Sequence, residues 1–248
     1  MKRTMLILGA LVAGASGLAQ AGPASYSGGL SATDPDHLLI AEGGSWGNPA
    51  APPASLSWRV TDIGSGRWRY EYTLSVWGAG ISRMIVEASD SDPGPAFTYN
   101  NLVGLPTSNP SDWIDGLEVA DHGVLPDNPG MPGALYGIEF SCTADASGLP
   151  TELTVSFESD RPPVWGDFYA RGWGFMCPLT DTFQFQLLNF VYNGGFDGID
   201  PTDLPCDGSI LSHVLVPDST PGIPAPGALL LGSLGVGLVG WLRRRGSV

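Results

Sequence analysis

Strict alternation of apolar and polar side chains is the feature that most constrains the fold of this chain. In residues 55–61 and 67–77, apolar residues such as Trp58 and Tyr70 occupy every second position. A period of two places successive side chains on opposite faces of a β-strand. Residues 62–66, between the two runs, include two glycines, which is typical of a tight turn. The pattern therefore predicts a β-hairpin with one buried face.

Further strands are predicted along the rest of the chain. Clear alternation recurs in three short runs and weaker alternation in three more, at residues 136–140, 152–158, 183–187, 81–88, 164–170 and 210–216. Clusters of Gly, Pro and Asp separate these runs. The one window with a helical signal is 111–117, which predicts a single turn capped by Ser111. Many short strands with such turns predict an all-β chain, an antiparallel β-sandwich of the jelly-roll or immunoglobulin-like class.

The N-terminus has the three parts of a secretory signal peptide. Lys2 and Arg3 precede an apolar stretch over residues 5–18, and Ala19-Gln20-Ala21 matches the A-x-A cleavage site. We therefore expect a signal peptide over residues 1–21 and a β-sandwich body over residues 22–216.

The C-terminus has a second three-part pattern. Pro224-Ala225-Pro226 precedes an uncharged stretch, residues 227–242, which is followed by Arg243, Arg244 and Arg245. As a helix this stretch would be about 24 Å long, at roughly 1.5 Å per residue. That length is short for a hydrocarbon core of about 30 Å, so the segment predicts a short transmembrane helix. The arginines are expected to stay cytoplasmic and so to fix the topology. Residues 217–222 are predicted to be a linker.

The arrangement of residues 223–248 resembles the PEP-CTERM sorting signal of bacteria, with Ala225 where the usual motif has Glu. The resemblance implies recognition by an exosortase, a membrane cysteine protease-transpeptidase, and cleavage near the Pro motif. Members are typically exported by Gram-negative bacteria that make exopolysaccharide, which implies a location in the cell envelope, at the cell surface or in the matrix. Residues 66–72 and 163–170 are also similar to stretches of other PEP-CTERM exoproteins. This similarity implies no particular activity for the body.

The charge distribution excludes some classes of partner. Residues 22–222 contain all 25 acidic residues, six arginines and no lysine, which gives a formal charge of −19. Nucleic-acid binding by phosphate neutralisation needs clustered Lys and Arg, so this class is excluded. Docking of the body on anionic lipid through a polybasic face is disfavoured for the same reason. Membrane contact is therefore expected only through the C-terminal helix, before processing.

The three cysteines suit an oxidising compartment but cannot all pair. We predict a disulfide between Cys177 and Cys206, because each lies next to a proline in a loop, where a crosslink most restricts the unfolded chain. Cys142 continues a predicted strand and is expected to be a buried thiol.

Acidic loops raise the question of a metal ion. Asp197, Asp200 and Asp203 are weak candidates for an irregular Ca²⁺ site, and Asp90 with Asp92 is another. A spacing of three does not match the ligand positions of an EF-hand. No Cys/His spacing fits zinc. No cofactor is therefore predicted beyond this structural Ca²⁺.

Catalytic motifs are weak, and we predict a protein that is not an enzyme. Residues 43–47 match G-x-S-x-G, but the prolines that follow prevent the helix that a nucleophile elbow needs. A glycoside hydrolase needs two facing carboxylates, and Glu139, Glu158 and Asp167 lie in or near predicted strands. The alternation places Glu139 and Glu158 on the outward face, where solvated acids are expected.

Four aromatic residues lie in turn-rich or glycine-flanked segments and could stack on sugar rings: Trp113, Trp165, Tyr169 and Trp173. The alternative is that they cap the ends of the sandwich. The resulting prediction is a structural or interaction protein of the cell surface or extracellular matrix. Its expected partners are the secretion machinery, an exosortase and exopolysaccharide. The alternatives are a carbohydrate-binding module and, third, a secreted hydrolase.

Overall fold

The computed structural model describes residues 24–90, 95–124, 128–142, 148–173 and 188–217. The predicted signal peptide, the predicted strand at 183–187 and the sorting signal lie outside these ranges. The described residues contain one short 3₁₀ helix (Tyr99–Asn101), no α-helix and thirteen strands. The strands are β1 (Ser25–Ser31), β2 (Leu39–Glu42), β3 (Ser55–Gly64), β4 (Arg67–Ser75), β5 (Ile81–Glu87), β6 (Thr107–Asn109), β7 (Gly116–His122), β8 (Leu135–Ser141), β9 (Glu152–Ser159), β10 (Pro163–Gly166), β11 (Phe168–Gly172), β12 (Phe190–Asn193) and β13 (Val214–Pro217).

The strands form three antiparallel sheets within the described part of the chain. The first sheet has five strands in the order β1-β3-β4-β9-β6, and the second has six in the order β2-β12-β11-β5-β8-β7. Strands β10 and β13 form a separate pair. The prediction of an all-β chain with antiparallel pairing is therefore confirmed. No described segment is a helix of the length and apolarity that crossing a bilayer requires.

The predicted hairpin is present as β3 and β4. Its register places Trp58 opposite Tyr72 on the buried face, and Arg59 opposite Glu71 on the other face. Gly64, Ser65 and Gly66 connect the strands with φ angles of 87°, 58° and 72°. Two of these three left-handed positions are glycines, which adopt positive φ without a Cβ clash. The alternation and the turn together determine this register.

One hydrophobic cluster contains residues from both large sheets. Phe157 of β9 stacks on Tyr70 of β4 with ring centroids 5.3 Å apart, and it contacts Phe140 of β8 at 5.6 Å. All three rings are buried. Phe157 therefore joins the five-stranded sheet to the six-stranded sheet.

Two predicted segments differ from the structure in ways that matter for the site. The run predicted as one strand at 164–170 is two strands, because the chain leaves the β10–β13 pair at Asp167 and enters the six-stranded sheet as β11. The strand predicted at 210–216 begins only at Val214 and ends at Pro217, one residue beyond the predicted body.

The helical turn predicted at 111–117 is wrong. Ser111 and Asp112 lie in a turn, and residues from Gly116 onward form β7, which pairs with β8. Pairing with an available sheet edge outweighs the weak local preference for helix, since tertiary contacts routinely override propensity.

Candidate functional site

An acidic cleft of about 420 Å³ lies where β5, β7 and the β10–β11 junction come together. Five carboxylate residues line it: Glu87, Asp90, Asp121, Asp167 and Asp200. The body carries few basic residues, and this cleft concentrates part of its negative charge in one place. Closely spaced carboxylates repel one another and attract cations.

Strand register brings His213 close to Asp167, one of the residues that line this cleft. Gly166 and Val214 are the last pair of the β10–β13 ladder. Asp167 directly follows the first of these residues, and His213 directly precedes the second. Antiparallel pairing makes such positions cross-strand neighbours. The two side chains therefore converge although they are 46 positions apart in the sequence.

Asp167 is a buried carboxylate held in a defined orientation. Its Oδ1 accepts a hydrogen bond of 2.8 Å from Nδ2 of Asn193, whose Oδ1 in turn accepts one from the backbone N–H of Phe168. The backbone N–H of Asp167 donates to Glu87. Burial, together with the nearby charges of Asp200 and Asp197, raises the pKa of Asp167 to about 7, although the Asn193 hydrogen bond acts to lower it. Asp200 and Asp197 therefore add negative charge around Asp167.

His213 is 1% exposed, and its ring orientation is fixed. Its Nδ1 lies 3.2 Å from the carbonyl oxygen of Ile210. The residues before it, Leu211 and Ser212, have φ angles of 49° and 61°, a strained conformation for residues with a Cβ. The Ser212 hydroxyl accepts a hydrogen bond from the backbone N–H of Leu38, which anchors this strained segment. The loop therefore holds the imidazole in place despite a local energetic cost.

The loop that carries Asp200 packs on the other side of the His213 ring. A Cβ at Gly195 would lie 2.4 Å from Cε1 of His213, so only glycine allows this approach. Oδ1 of Asp200 is 3.5 Å from Nε2 of His213, and Oδ1 of Asp167 is 3.8 Å from it. One ligand atom from each of the three residues lies within 4.8 Å of the other two.

A second buried charge cluster lies on the six-stranded sheet and centres on Glu139. Its two oxygens lie 3.1 Å from Nε of Arg83 and 3.2 Å from Nδ1 of His122. Nε2 of His122 lies 3.2 Å from the carbonyl oxygen of Gly137, so each ring nitrogen of His122 faces an oxygen atom. Although burial acts to raise the pKa of Glu139, the His122 hydrogen bond and the charge of Arg83 lower it below its ordinary value. The cluster is internally paired, which indicates a structural role.

Glu139 is thus a correction to the sequence analysis, which placed it in solvent. It is 5% exposed because a second apolar cluster, which includes Met131, Tyr169 and Phe196, covers that face of the sheet. Glu158 does face solvent, where it forms an ion pair of 2.7 Å with Arg69. Of the three carboxylates considered for a hydrolase, only Asp167 lies in the cleft.

The predicted sugar-stacking residues need a similar correction. Trp113, Trp165 and Tyr169 are buried in the core and offer no open ring face. The Trp113 indole donates to the carbonyl of Ile81, and the Tyr169 hydroxyl donates to that of Pro129. Only Trp173, at 39% exposed, has substantial accessible surface. Trp165 and Tyr169 lie in the strands β10 and β11, and Trp113 lies in a loop, so all three are packing residues.

The calcium candidates separate in the structure. Asp200 turns toward Asp167 and His213. Asp197 and Asp203 are exposed, and the metal-type cluster contains neither of them. Asp92 lies outside the described residues, so its pairing with Asp90 stays a prediction.

The G-x-S-x-G string forms a turn after β2 and is stabilised by structural contacts. The Ser45 hydroxyl lies 3.2 Å from Oδ1 of Asn189 and accepts a hydrogen bond from the backbone N–H of Ala79. No helix directly follows this turn, because residues 48–54 are not helical. The structural role of Ser45 is therefore to connect the turn to two neighbouring segments.

Several predicted residues lie outside the described ranges: Ala19, Ala21, Cys177, Pro224, Ala225, Pro226, Arg243, Arg244 and Arg245. Cys142 is half-buried and Cys206 is exposed, and these two described cysteines form no disulfide with each other. The pairing of Cys177 with Cys206 stays a prediction.

No family model, curated protein or solved structure matches this chain.

Sequence reasoning missed His213 and its approach to Asp167. The available signal was small: Asp167 interrupts one predicted strand run, and His213 interrupts another. To predict that Asp167 and His213 lie close together, one must know that β10 pairs with β13. The local sequence does not reveal this pairing.

Proposed function

We propose that this chain is an exported protein that acts at the cell surface or in the extracellular matrix in a structural or interaction role. Its C-terminal segment would be read by an exosortase, as the PEP-CTERM resemblance implies. Its body would be a β-sandwich of the jelly-roll or immunoglobulin-like class. The hydrophobic cluster shared by the two large antiparallel sheets supports this architecture.

The location of the strands carries the proposal. All thirteen described strands lie between Ser25 and Pro217. The predicted cleavage points, after Ala21 and near Pro224, lie on either side of this range. A signal peptidase and an exosortase could therefore remove both segments and leave every described strand complete.

The burial of three candidate stacking residues favours the structural or interaction role over a carbohydrate-binding module. Stacking on sugars needs an open aromatic face, and Trp173 alone among the four candidates has substantial accessible area. The negative body also repels anionic surfaces, which suits a protein displayed outside the cell.

Processing provides the test of this proposal. The full-length chain would be produced in a bacterium that carries an exosortase, and intact masses would be measured in the envelope and medium fractions. We expect a mature protein that begins at Gly22 and lacks residues 227–248. Replacing Pro224 and Pro226 together by alanine should leave most of the protein membrane-bound with its C-terminal segment retained, because the processing motif is lost.

The matched control replaces Pro201 and Pro205 by alanine, which removes two prolines of the body and leaves the motif intact. This control should be processed like the original chain. Mature protein that keeps residues 227–248 would refute the sorting proposal. So would equal processing of the motif variant and the control.

A further inference from the structure

We propose that Asp167, Asp200 and His213 form a binding site for a divalent first-row transition metal ion, with Zn²⁺ as the ion that fits best. The site lies at the end of the β10–β13 ladder and opens into the acidic cleft. It is independent of the export proposal, and it replaces the calcium site suggested by sequence spacing.

The protonation pattern of His213 is the first argument. The carbonyl oxygen of Ile210 can only accept, so Nδ1 at 3.2 Å carries the hydrogen. In the neutral ring, Nε2 then has a free lone pair. Metal-binding histidines typically have this arrangement, in which the distal ring N–H donates to a carbonyl and fixes the tautomer.

The surroundings of Nε2 are the second argument. This buried atom finds no hydrogen-bond partner among the described residues. Carboxylate oxygens of Asp200 and Asp167, which also carry lone pairs, lie 3.5 Å and 3.8 Å from it. Three electron-rich atoms converging on one point repel one another unless positive charge lies between them. A cation at that point satisfies all three.

The distances are the third argument. Zinc bonds to nitrogen and oxygen at about 2.0–2.2 Å, so tetrahedral geometry separates two ligands by roughly 3.3–3.6 Å. The separations here are 3.5 Å from Nε2 of His213 to Asp200 and 3.8 Å to Asp167. The ligand oxygens of Asp200 and Asp167 lie within 4.8 Å of each other. Small rotations of the Asp200 side chain, which is 46% exposed, adjust this oxygen–oxygen distance.

Ligand chemistry selects the ion. Ca²⁺ and Mg²⁺ take oxygen ligands almost entirely, whereas imidazole nitrogen combined with carboxylate suits zinc and its neighbours. Asn193 supplies the outer support that such sites need, because its amide holds Oδ1 of Asp167. Three protein ligands leave a fourth tetrahedral position for water or for an oxygen donor from a partner in the cleft.

The bound ion would have a mechanical consequence. His213 directly precedes β13, the last described strand, and Asp167 directly follows its partner β10. Metal bonds to both residues would fasten the two strands at the Gly166–Val214 end of their ladder, which is the end opposite the Pro163–Pro217 pair. The ion would also attach the loop that carries Asp200 to the same point.

Zinc binding by the full-length chain tests the proposal. The protein would be purified in detergent, treated with EDTA and titrated with Zn²⁺ against a chromophoric chelator. We expect one Zn²⁺ per chain, and Co²⁺ substituted at the site should give the visible absorption of a tetrahedral ion. Asp200→Asn and His213→Gln should each weaken Zn²⁺ binding by at least about tenfold.

The control is His37→Gln, the same change at a histidine outside the cluster, which should bind Zn²⁺ as the original chain does. Asp200 is half-exposed, so its variant keeps the test valid if His213→Gln does not fold. Three results would overturn the proposal: no stoichiometric Zn²⁺, equal affinity in Asp200→Asn and the original chain, or Ca²⁺ that Zn²⁺ cannot displace.

Discussion

Replacing Glu139 by glutamine is expected to lower the free energy of unfolding by about 3 kcal/mol, because breaking a buried ion pair leaves its partners uncompensated. Glutamine keeps the size of the side chain but cannot balance Arg83 at 3.1 Å or His122 at 3.2 Å. For a body of this size, the loss corresponds to a melting temperature lower by roughly 6–12 °C. Thermal and urea unfolding measure both quantities.

The effect should depend on pH in a defined direction. The pKa of Glu139 is lowered in the folded protein, so its stabilising contribution is complete above the ordinary glutamate pKa of 4.5. The contribution is lost as the pH falls through the lowered folded-state pKa. The stability difference between the original chain and Glu139→Gln should therefore be largest near neutral pH and shrink in acid.

Glu158→Gln is the matched control, because it removes the same charge from the solvent-exposed pair with Arg69. Exposed pairs contribute about 0–1 kcal/mol, so this variant should unfold nearly like the original chain. Equal losses from the two variants would contradict the assignment of Glu139 as a buried, paired charge. A difference that grows in acid would contradict the lowered pKa.

Replacing Phe157 by alanine is expected to cost about 3–5 kcal/mol, the range for removing a buried phenylalanine from a packed core. Phe157 contacts Tyr70 at 5.3 Å within its own sheet and Phe140 at 5.6 Å in the other sheet. The cavity would therefore weaken the contact between the two sheets as well as the local packing. Urea unfolding followed by far-UV and near-UV circular dichroism measures the loss.

Two controls accompany this variant. Phe157→Leu keeps most of the apolar volume and should lose less stability than Phe157→Ala. Ile63→Ala changes an exposed apolar residue and should lie within about 0.5 kcal/mol of the original chain. A loss below about 1 kcal/mol for Phe157→Ala would show that the ring does not join the sheets.

The β3–β4 hairpin shows how far the sequence alone reaches. Its alternation determines which side chains face the core, and its two turn glycines determine where the chain reverses. Both signals are local, and they agree with each other. A shift of one residue would bury Arg59 and expose Trp58, so only one register is stable.

The same local reasoning fails at Glu139 and at Trp165. The alternation predicts that Glu139 lies on the face of the six-stranded sheet that points away from the main core. It does not predict that a second apolar cluster covers that face. Glycine and proline around Trp165 suggest a loop surface, yet pairing of β10 with β13 places the indole inside. Both outcomes depend on segments distant in sequence, which local patterns do not specify.

The sequence by itself determined the strand-rich body, the hairpin register, the acidic charge and the expectation of export, because these follow from local periodicity and composition. Only the tertiary structure decided that Asp167, Asp200 and His213 meet. Their approach depends on antiparallel pairing between strands almost fifty residues apart and on a glycine that lets one loop touch the imidazole. Long-range pairing is set by the total packing of the sheets, so no short window of residues contains it.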